Sequence, residues 1–562
     1  MFKKFFNNQH IFYVSSLIVI VLIVYGEVLF FDFVWDDIPF IKENQLIRSF
    51  RYIPYVFSNG MPTIEAPIHY RPLMMISLMF DYFIWRYNPS GYHLTNLLLH
   101  LGSSILLYTL LLNFVDKKWQ AFLPSLIFAV HPVHCDAVAW IMARGDILCG
   151  FFVILALLCY IKEKKFFSTM FFVLALLSKE MAVTFPIIAF FYSWLNKNDK
   201  KDAFKWAGLN IVILVIYLAV RANVLELPFG AKQPFALRFY TSITLIPRYF
   251  KMVFYPFKLS LLYHGLPVFD SLFSWHVILS AVLLITIILI AVVVKKKAPL
   301  VTFSFFFFFL SLLPVSGLPT LIDVAMVAER YLYMPMIAVA IFFSQLTTLF
   351  LKKGVSAKKV IISLTAMAVL LGWLTFDRKK LWENEFVFLK RMNEDAPNYH
   401  EAKAILAYIY IQKGDLDEAE KLLFQALKIK PDYAEGLNTL GTVYLRKGKY
   451  SIAQELFEKA IYFKPEHPEA HSNLAIVYAI NKRYDDAEKE FKIAIRIKPN
   501  FLKAYLNLSR MYIIQGRLDE AESLLSRAKM IKEDDKELKE VINLLVQKRL
   551  NGRDNEMQNM RQ

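Results

Sequence analysis

Two adjacent carboxylates, Asp36 and Asp37, stand in the run Phe31-Asp32-Phe33-Val34-Trp35-Asp36-Asp37-Ile38, where a long apolar stretch ends. Acids in that position can take a proton from a substrate, or can be no more than solvated loop. Further polar runs share the setting. Tyr70-Arg71-Pro72 and Gly91-Tyr92-His93-Leu94-Thr95-Asn96 prolong the same loop, and His131-Pro132-Val133-His134-Cys135-Asp136 leads to Arg144-Gly145-Asp146. Ser178-Lys179-Glu180 and Glu329-Arg330-Tyr331 complete the set. Each ionisable group would be costly against lipid, so the economical arrangement is one shared polar cavity in which carboxylates act as bases and cations hold an anionic group. The plainer alternative is that Arg144 with Asp146, Lys179 with Glu180 and Glu329 with Arg330 are ion pairs that close their own loops. His131, His134 and Cys135 suggest zinc only weakly: the spacing is not that of a closed site, and Pro132 turns the chain between the imidazoles. No metal site is assigned, although the acids leave room for a divalent ion. No glycine-rich phosphate loop or nucleophile elbow is present, and no cofactor is implied.

These residues need a membrane scaffold to position them. Over 562 residues the chain is 57% hydrophobic and 16% aromatic, with a mean hydropathy of +0.40, so most of it must lie in lipid. The apolar runs end near Asp377. They fall at 11–31, 93–114, 119–131, 145–161, 166–178, 181–195, 205–221, 275–294, 299–314, 331–351 and 358–376, which makes eleven spans. The first reads as a retained span, not a signal peptide. Segments 73–87 and 240–256 carry Arg or Asp and read as interfacial helices. The formal charge of +17 is concentrated in short loops: Lys3-Lys4, Lys117-Lys118, 162–165, 197–201, 295–297, and the pairs at 352–353 and 358–359. That pattern sets membrane orientation and argues against nucleic-acid binding. It predicts a cytoplasmic N-terminus, and eleven spans then deliver residues after 377 to the outer side, with Arg378, Lys379 and Lys380 as dissenting charges. Cys135, Cys149 and Cys159 all lie in the membrane part, so no disulfide can staple the charged C-terminal third.

Beyond residue 398 the chain repeats every 34 residues, as Pro397, Pro431, Pro465 and Pro499 display, together with Ala419, Ala453, Ala487 and Ala521 and with Tyr410, Tyr444, Tyr478 and Tyr512. Small residues at Ala426, Ala460, Ala494 and Ala528 permit two antiparallel helices to approach, and the prolines end the second helix. Gly414, Gly448 and Gly516 occupy the turn between helices, with Lys482 at the fourth equivalent position. Each unit resembles a tetratricopeptide repeat. Such arrays stack into a solenoid whose concave face holds a peptide or protein partner.

The runs VWDDIPFI, HYRPLMMISL, GYHLTNLLLH, FAVHPVHCDAVAWIMARGDIL, LLSKEMAV and AERYLYMPM, followed by in-phase repeats, resemble the transmembrane and tetratricopeptide-repeat containing O-mannosyltransferases and their prokaryotic relatives. The resemblance implies an all-α fold: a polytopic helical bundle of the glycosyltransferase C type over 1–376, a linker with a degenerate half-repeat over 377–397, four repeats over 398–535, and a capping helix with a polar tail over 536–562. It implies transfer of a sugar, mannose in the named family, from a polyprenyl- or dolichyl-phosphate donor to a hydroxyl of an extracytoplasmic acceptor. The repeats tilt that acceptor toward protein over glycolipid. Asp36 or Asp37 would be the base, the other orienting the acceptor. Arg71, Arg144, Lys179 or Arg330 would hold the lipid phosphate, with His131 a spare donor and His93, Asp146, Glu180 and Glu329 in support. One departure is Cys135-Asp136, where relatives have a hydroxyl residue and Glu. The setting would be a bacterial inner membrane, or an endoplasmic reticulum in a eukaryote. The rival readings are a lipid-linked sugar transporter or flippase and a membrane-anchored scaffold. A transporter calls for charges at mid-bilayer and duplicated halves, neither evident here.

Overall fold

The computed structural model describes residues 8–62, 67–196, 200–225, 233–318 and 327–559. Lys3, Lys4 and the first part of the 197–201 run lie outside the described residues. The chain divides into two units, Met1–Ala396 and Pro397–Gln562.

The first unit is helical. Its elements are α1 (Asn8–Tyr25), α2 (Ile53–Asn59), α3 (Pro72–Trp85), α4 (Pro89–Leu111), α5 (Lys118–Ala129), α6 (Cys135–Ala139), α7 (Arg144–Ile161) and α8 (Lys165–Ser178). They continue as α9 (Phe185–Leu195), α10 (Lys200–Val224), α11 (Phe235–Phe254), α12 (Trp275–Val294), α13 (Pro299–Leu312), α14 (Pro335–Lys352), α15 (Ala357–Arg378) and α16 (Glu385–Asp395). Among the described residues the only strand pairing is Met61–Pro62 with Pro67–His69, antiparallel.

Each of the eleven apolar stretches forms a helix. By length and composition seven are able to cross a membrane, or eight if the bent pair Lys118–Ala129 and Pro132–Ala139, angled at 51°, counts as one span. The helices Pro72–Trp85, Lys165–Ser178, Glu180–Leu195 and Pro299–Val315 are apolar but shorter. A 14-residue helix such as α8 is about 21 Å long, well short of a hydrocarbon core of about 30 Å. Such helices depend on neighbours, and polar contacts tie them in: Gln120 Nε2 donates to Thr347 and Thr348 of α14 at 3.0 and 3.1 Å, and Thr375 Oγ1 of α15 donates to the Val130 carbonyl at 2.6 Å.

In α5, α7, α8, α14 and α15 the motif residues stand at one end and basic residues at the other: Lys118 against His131, 162–165 against Arg144, Lys165 against Lys179, Lys352 against Tyr333, and Lys358 against Arg378. The motif loops therefore share one end of these helices. Within 377–397, read from sequence as a linker with a degenerate half-repeat, residues 379–395 form a short turn and α16, which belong to the first unit. The aromatic series Trp382, Phe388 and Trp35 supplies the reason, with ring centroids 4.7 and 5.6 Å apart.

The second unit is a solenoid of four helix pairs: α17 (His400–Lys413) with α18 (Leu416–Ile429), α19 (Ala434–Arg446) with α20 (Tyr450–Phe463), α21 (Pro468–Ile480) with α22 (Tyr484–Ile497), and α23 (Leu502–Ile514) with α24 (Leu518–Ile531). The helix α25 (Lys536–Asn559) comes after them. Ala419, Ala453, Ala487 and Ala521, like Ala426, Ala460, Ala494 and Ala528, are fully buried, as close helix approach requires. The turn glycines adopt left-handed φ of +86°, +74° and +80° at Gly414, Gly448 and Gly516, and Lys482 is held at +61° in the same position.

Candidate active site

The site is assembled where the loop after α1 meets the turns before α7, before α9 and before α14. Asp37 is buried there. Its carboxylate accepts the backbone N–H groups of Val34 and Met142, both at 3.0 Å, and so ties the first loop to the turn that opens α7. Burial pushes this carboxyl up to about 8 in spite of those donors. Its neighbour differs. Asp36 is half-buried and has no side-chain hydrogen bond or ion pair among the described residues. Burial pushes its carboxyl up to about 6, and the positive charge of Arg330 opposes that rise.

Arg330 sits in the turn Glu329–Leu332 with its guanidinium over Trp140 at 4.9 Å and over Tyr331 at 5.2 Å. It too has no ion pair among the described residues, while Asp146, Asp136 and Asp36 are the carboxylates whose charge it meets. Tyr331 connects this cation to the rest of the polar layer, since Lys179 Nζ lies 5.0 Å from the same ring.

Four other cations of the layer are already committed. Arg71 holds Glu180 through Nη2 at 2.8 Å and Nε at 3.2 Å. Arg144 is fully buried, paired to Asp81 at 2.6 Å and donating to Asn96 Oδ1 at 2.7 Å and the Tyr92 carbonyl at 2.9 Å. Lys179 Nζ meets Asp146 at 2.6 Å. Glu329 takes Arg378 at 2.6 and 3.1 Å and accepts from the Tyr263 hydroxyl at 3.2 Å. Ion pairing is thus real, but every expected partner is exchanged. Arg144 and Asp146 are two apart on a helix and cannot face each other. Lys179 is extended, with φ −162° and ψ 145°, so it and Glu180 diverge. Glu329 and Arg330 are successive on a 3-10 turn and point to different sides. The exchanged pairs link α3 to the turn before α9, α3 and α4 to α7, α7 to that same turn, and the turn before α14 to α15. Arg378, which dissents as an orientation charge, is spent on Glu329.

Gly145 permits this packing. A Cβ there would stand 3.2 Å from the Ser178 carbonyl and 3.3 Å from Met74 Sδ.

His131 is not free to bind phosphate. Its Nε2 donates to the Val253 carbonyl at 3.0 Å and its Nδ1 accepts the Val133 N–H at 3.3 Å, which caps the turn Pro132–His134. His134 is buried against Phe128 and Tyr333, with ring centroids at 4.6 and 4.7 Å. No group of three metal-ligating side chains occurs among the described residues. His93 is buried against Phe31 at the start of the first loop. Asp81, Trp140, Tyr331 and Arg378 have no role assigned from sequence. Asp81 is the one that sequence reasoning could have found, as an acid inside an apolar segment that had to have a partner. The aromatic residues give no signal of that kind.

Tetratricopeptide-repeat family models match residues 407–448, 438–501 and 478–545. Protein O-mannosyl-transferase TMTC3 of Homo sapiens is 31% identical over 156 residues, 27% of this chain and 17% of that protein. Protein O-mannosyl-transferase TMTC2 of Homo sapiens is 35% identical over 147 residues, 25% of this chain and 18% of that protein. A protein O-mannosyl-transferase of Caenorhabditis elegans is 27% identical over 453 residues, 75% of this chain and 63% of that protein. The chain thus spans less than two thirds of the length of these relatives. A solved thermophilic TPR protein of Thermus thermophilus is 22% identical and covers 32% of this chain and 94% of that chain, at a TM-score of 0.28. The repeat models thus fall in the second unit, and the similarity to the Caenorhabditis elegans protein extends across three quarters of the chain.

Proposed function

We propose that the chain is a membrane glycosyltransferase that moves a sugar, mannose by the names of its relatives, from a polyprenyl-phosphate donor to a hydroxyl of a protein acceptor. The observation that carries this reading is the contrast at the site: among the described residues Asp36 and Arg330 feel each other's charge without an ion pair, while Arg71, Arg144, Lys179 and Arg378 are each held by a carboxylate. In this reading the acceptor oxygen attacks the anomeric carbon from the face opposite the phosphate. Its proton passes to the Asp36 carboxylate, the bond from the anomeric carbon to the phosphate oxygen breaks, and the electron pair leaves with the lipid phosphate, which Arg330 holds by its two-pronged donor edge. One displacement inverts the anomeric carbon. Asp37 acts through the backbone, fixing the loop that carries Asp36.

A lipid donor also needs an apolar seat. An apolar hollow lined by Ile127, Val253, Phe257, Val339, Phe343 and Leu371 opens among α5, α11, α14 and α15. Leu371 precedes Arg378 by seven residues on α15, about 10 Å along the helix. The solenoid, with four stacked repeats, is suited to binding the protein acceptor or a partner.

The test is sugar transfer by purified, detergent-solubilised protein given polyprenyl-phosphate mannose and hydroxyl-bearing peptides. Asp36→Asn is expected to fold and to lose about 10²- to 10⁴-fold in rate. Turnover by that variant at the wild-type rate, or retention at the anomeric carbon, would sink the assignment.

A further inference from the structure

Trp35 has no part in the chemistry above, yet the chain holds it in a backbone conformation that bulky side chains rarely adopt. Its φ is +57°, in the left-handed region that favours glycine and asparagine. The turn around it is fixed several times over. The Asp37 N–H donates to the Val34 carbonyl at 3.1 Å, the Ile38 N–H to the Trp35 carbonyl at 3.1 Å, and the Val34 N–H to the Asp37 carboxylate at 3.0 Å. Backbone strain so held is characteristic of sites where a side chain must be presented.

What the indole joins is an aromatic wall. Trp35 meets Phe388 at 5.6 Å between centroids, Phe388 meets Trp382 at 4.7 Å, and Trp382 stacks on Trp140 at 5.4 Å with 14° between planes. Trp140 in turn carries the Arg330 guanidinium at 4.9 Å. The wall therefore runs from the residue before the unpaired acid to the unpaired cation. Phe388, Trp382 and Trp140 are buried, and Trp35 alone of the four is half-exposed. In addition, Trp140 Nε1 is a buried donor without a hydrogen-bond partner among the described residues. A buried donor left unused is costly enough to call for an acceptor in the working state.

We propose that this wall is the subsite for the donor's hexosyl ring, with Trp35 as its platform and Trp140 Nε1–H as a donor to a ring hydroxyl. The inference rests on the transferase reading, in which the anomeric carbon must lie between Asp36, at the acceptor's proton, and Arg330, at the phosphate. The wall flanks that interval. A pyranose offers a face of C–H bonds that packs on an indole and a rim of hydroxyls that need partners, which is the combination this wall supplies.

The experiment compares equilibrium binding of polyprenyl-phosphate mannose and of bare polyprenyl phosphate to the full chain in detergent. Three proteins are used: wild type, Trp35→Phe and Trp35→Asn. Asparagine tolerates the left-handed backbone, so the turn survives without the ring. Trp35→Asn is expected to weaken the sugar-bearing lipid by about tenfold and to leave bare lipid within about twofold, and Trp35→Phe is expected to recover most of the loss. Arg330→Gln should instead weaken both lipids. Equal loss for both lipids with Trp35→Asn, loss for neither, or a change confined to acceptor KM would overturn the platform. A wild-type protein that binds neither lipid would overturn the transferase reading itself.

Discussion

Removing the charge of Arg330 should move the pH dependence of the reaction in a direction fixed by the site. As the proposed base, Asp36 has to be ionised to accept a proton, so kcat/KM should fall tenfold per pH unit below the limit of about 6 set by its burial. Arg330 opposes the effect of burial, since a nearby cation favours the carboxylate. In Arg330→Gln that support disappears, so the carboxyl becomes harder to ionise and the acid limb shifts to higher pH. One unit charge acting through partly solvated space, at an effective dielectric constant of about 40, contributes on the order of 1 kcal/mol, which moves the limb by somewhat under one pH unit. The assay is the pH profile of kcat/KM, which reports the free enzyme; the phosphodiester of the proposed donor does not titrate in this range. Arg330→Lys is the control: it keeps the charge, so its limb should stay near 6, although its rate falls because an ammonium cannot replace the two-pronged contact. A limb that stays in place in Arg330→Gln, or moves down, refutes the influence of the Arg330 charge on Asp36.

Two predictions concern the frame. Asp81→Ala leaves the buried Arg144 guanidinium without its carboxylate and should cost about 3–5 kcal/mol, read as a lower melting temperature in detergent. Unchanged melting with a selective loss of donor binding would return Arg144 to the phosphate site. In the solenoid, Lys482→Gly relieves the one non-glycine turn of the four and should raise stability by about 0.5–1 kcal/mol, visible as a later denaturant midpoint; a lower midpoint would contradict the strain argument.

The solenoid was legible because its signal is redundant. A period carried by proline, alanine, tyrosine and glycine at once leaves one register, and even Lys482 is left-handed where the period requires it. The membrane helices were legible for a similar reason, since each must be apolar along its length. The charges of the candidate site were legible only as a set. Apolar length and loop position brought Asp36, Arg71, Lys179, Glu180, Glu329 and Arg330 to one end, but pairing is a matter of side-chain direction, which turn geometry decides. Extended Lys179 sends its ammonium to Asp146 and leaves Glu180 to Arg71, an outcome set by a ψ angle with no trace in residue type. Likewise α16 joins the first unit through aromatic packing that no repeat pattern announces.

The exchanged ion pairs also explain why so many charges gather at a site of which the proposed chemistry uses so few. A buried pair contributes little net stability, because desolvation offsets most of the attraction, but it strongly disfavours any arrangement that separates its members. Four such pairs, Arg71 with Glu180, Arg144 with Asp81, Lys179 with Asp146 and Arg378 with Glu329, tie short helices that lipid alone would not hold in register. With that frame closed, Asp36 and Arg330 can remain unpaired without the loops collapsing to bring them together. Their separation is therefore a property of the frame, and it is the space in which a sugar could sit. Weakening a frame pair should thus lower activity by letting Asp36 and Arg330 approach each other, a loss of geometry distinct from the loss of either reacting group.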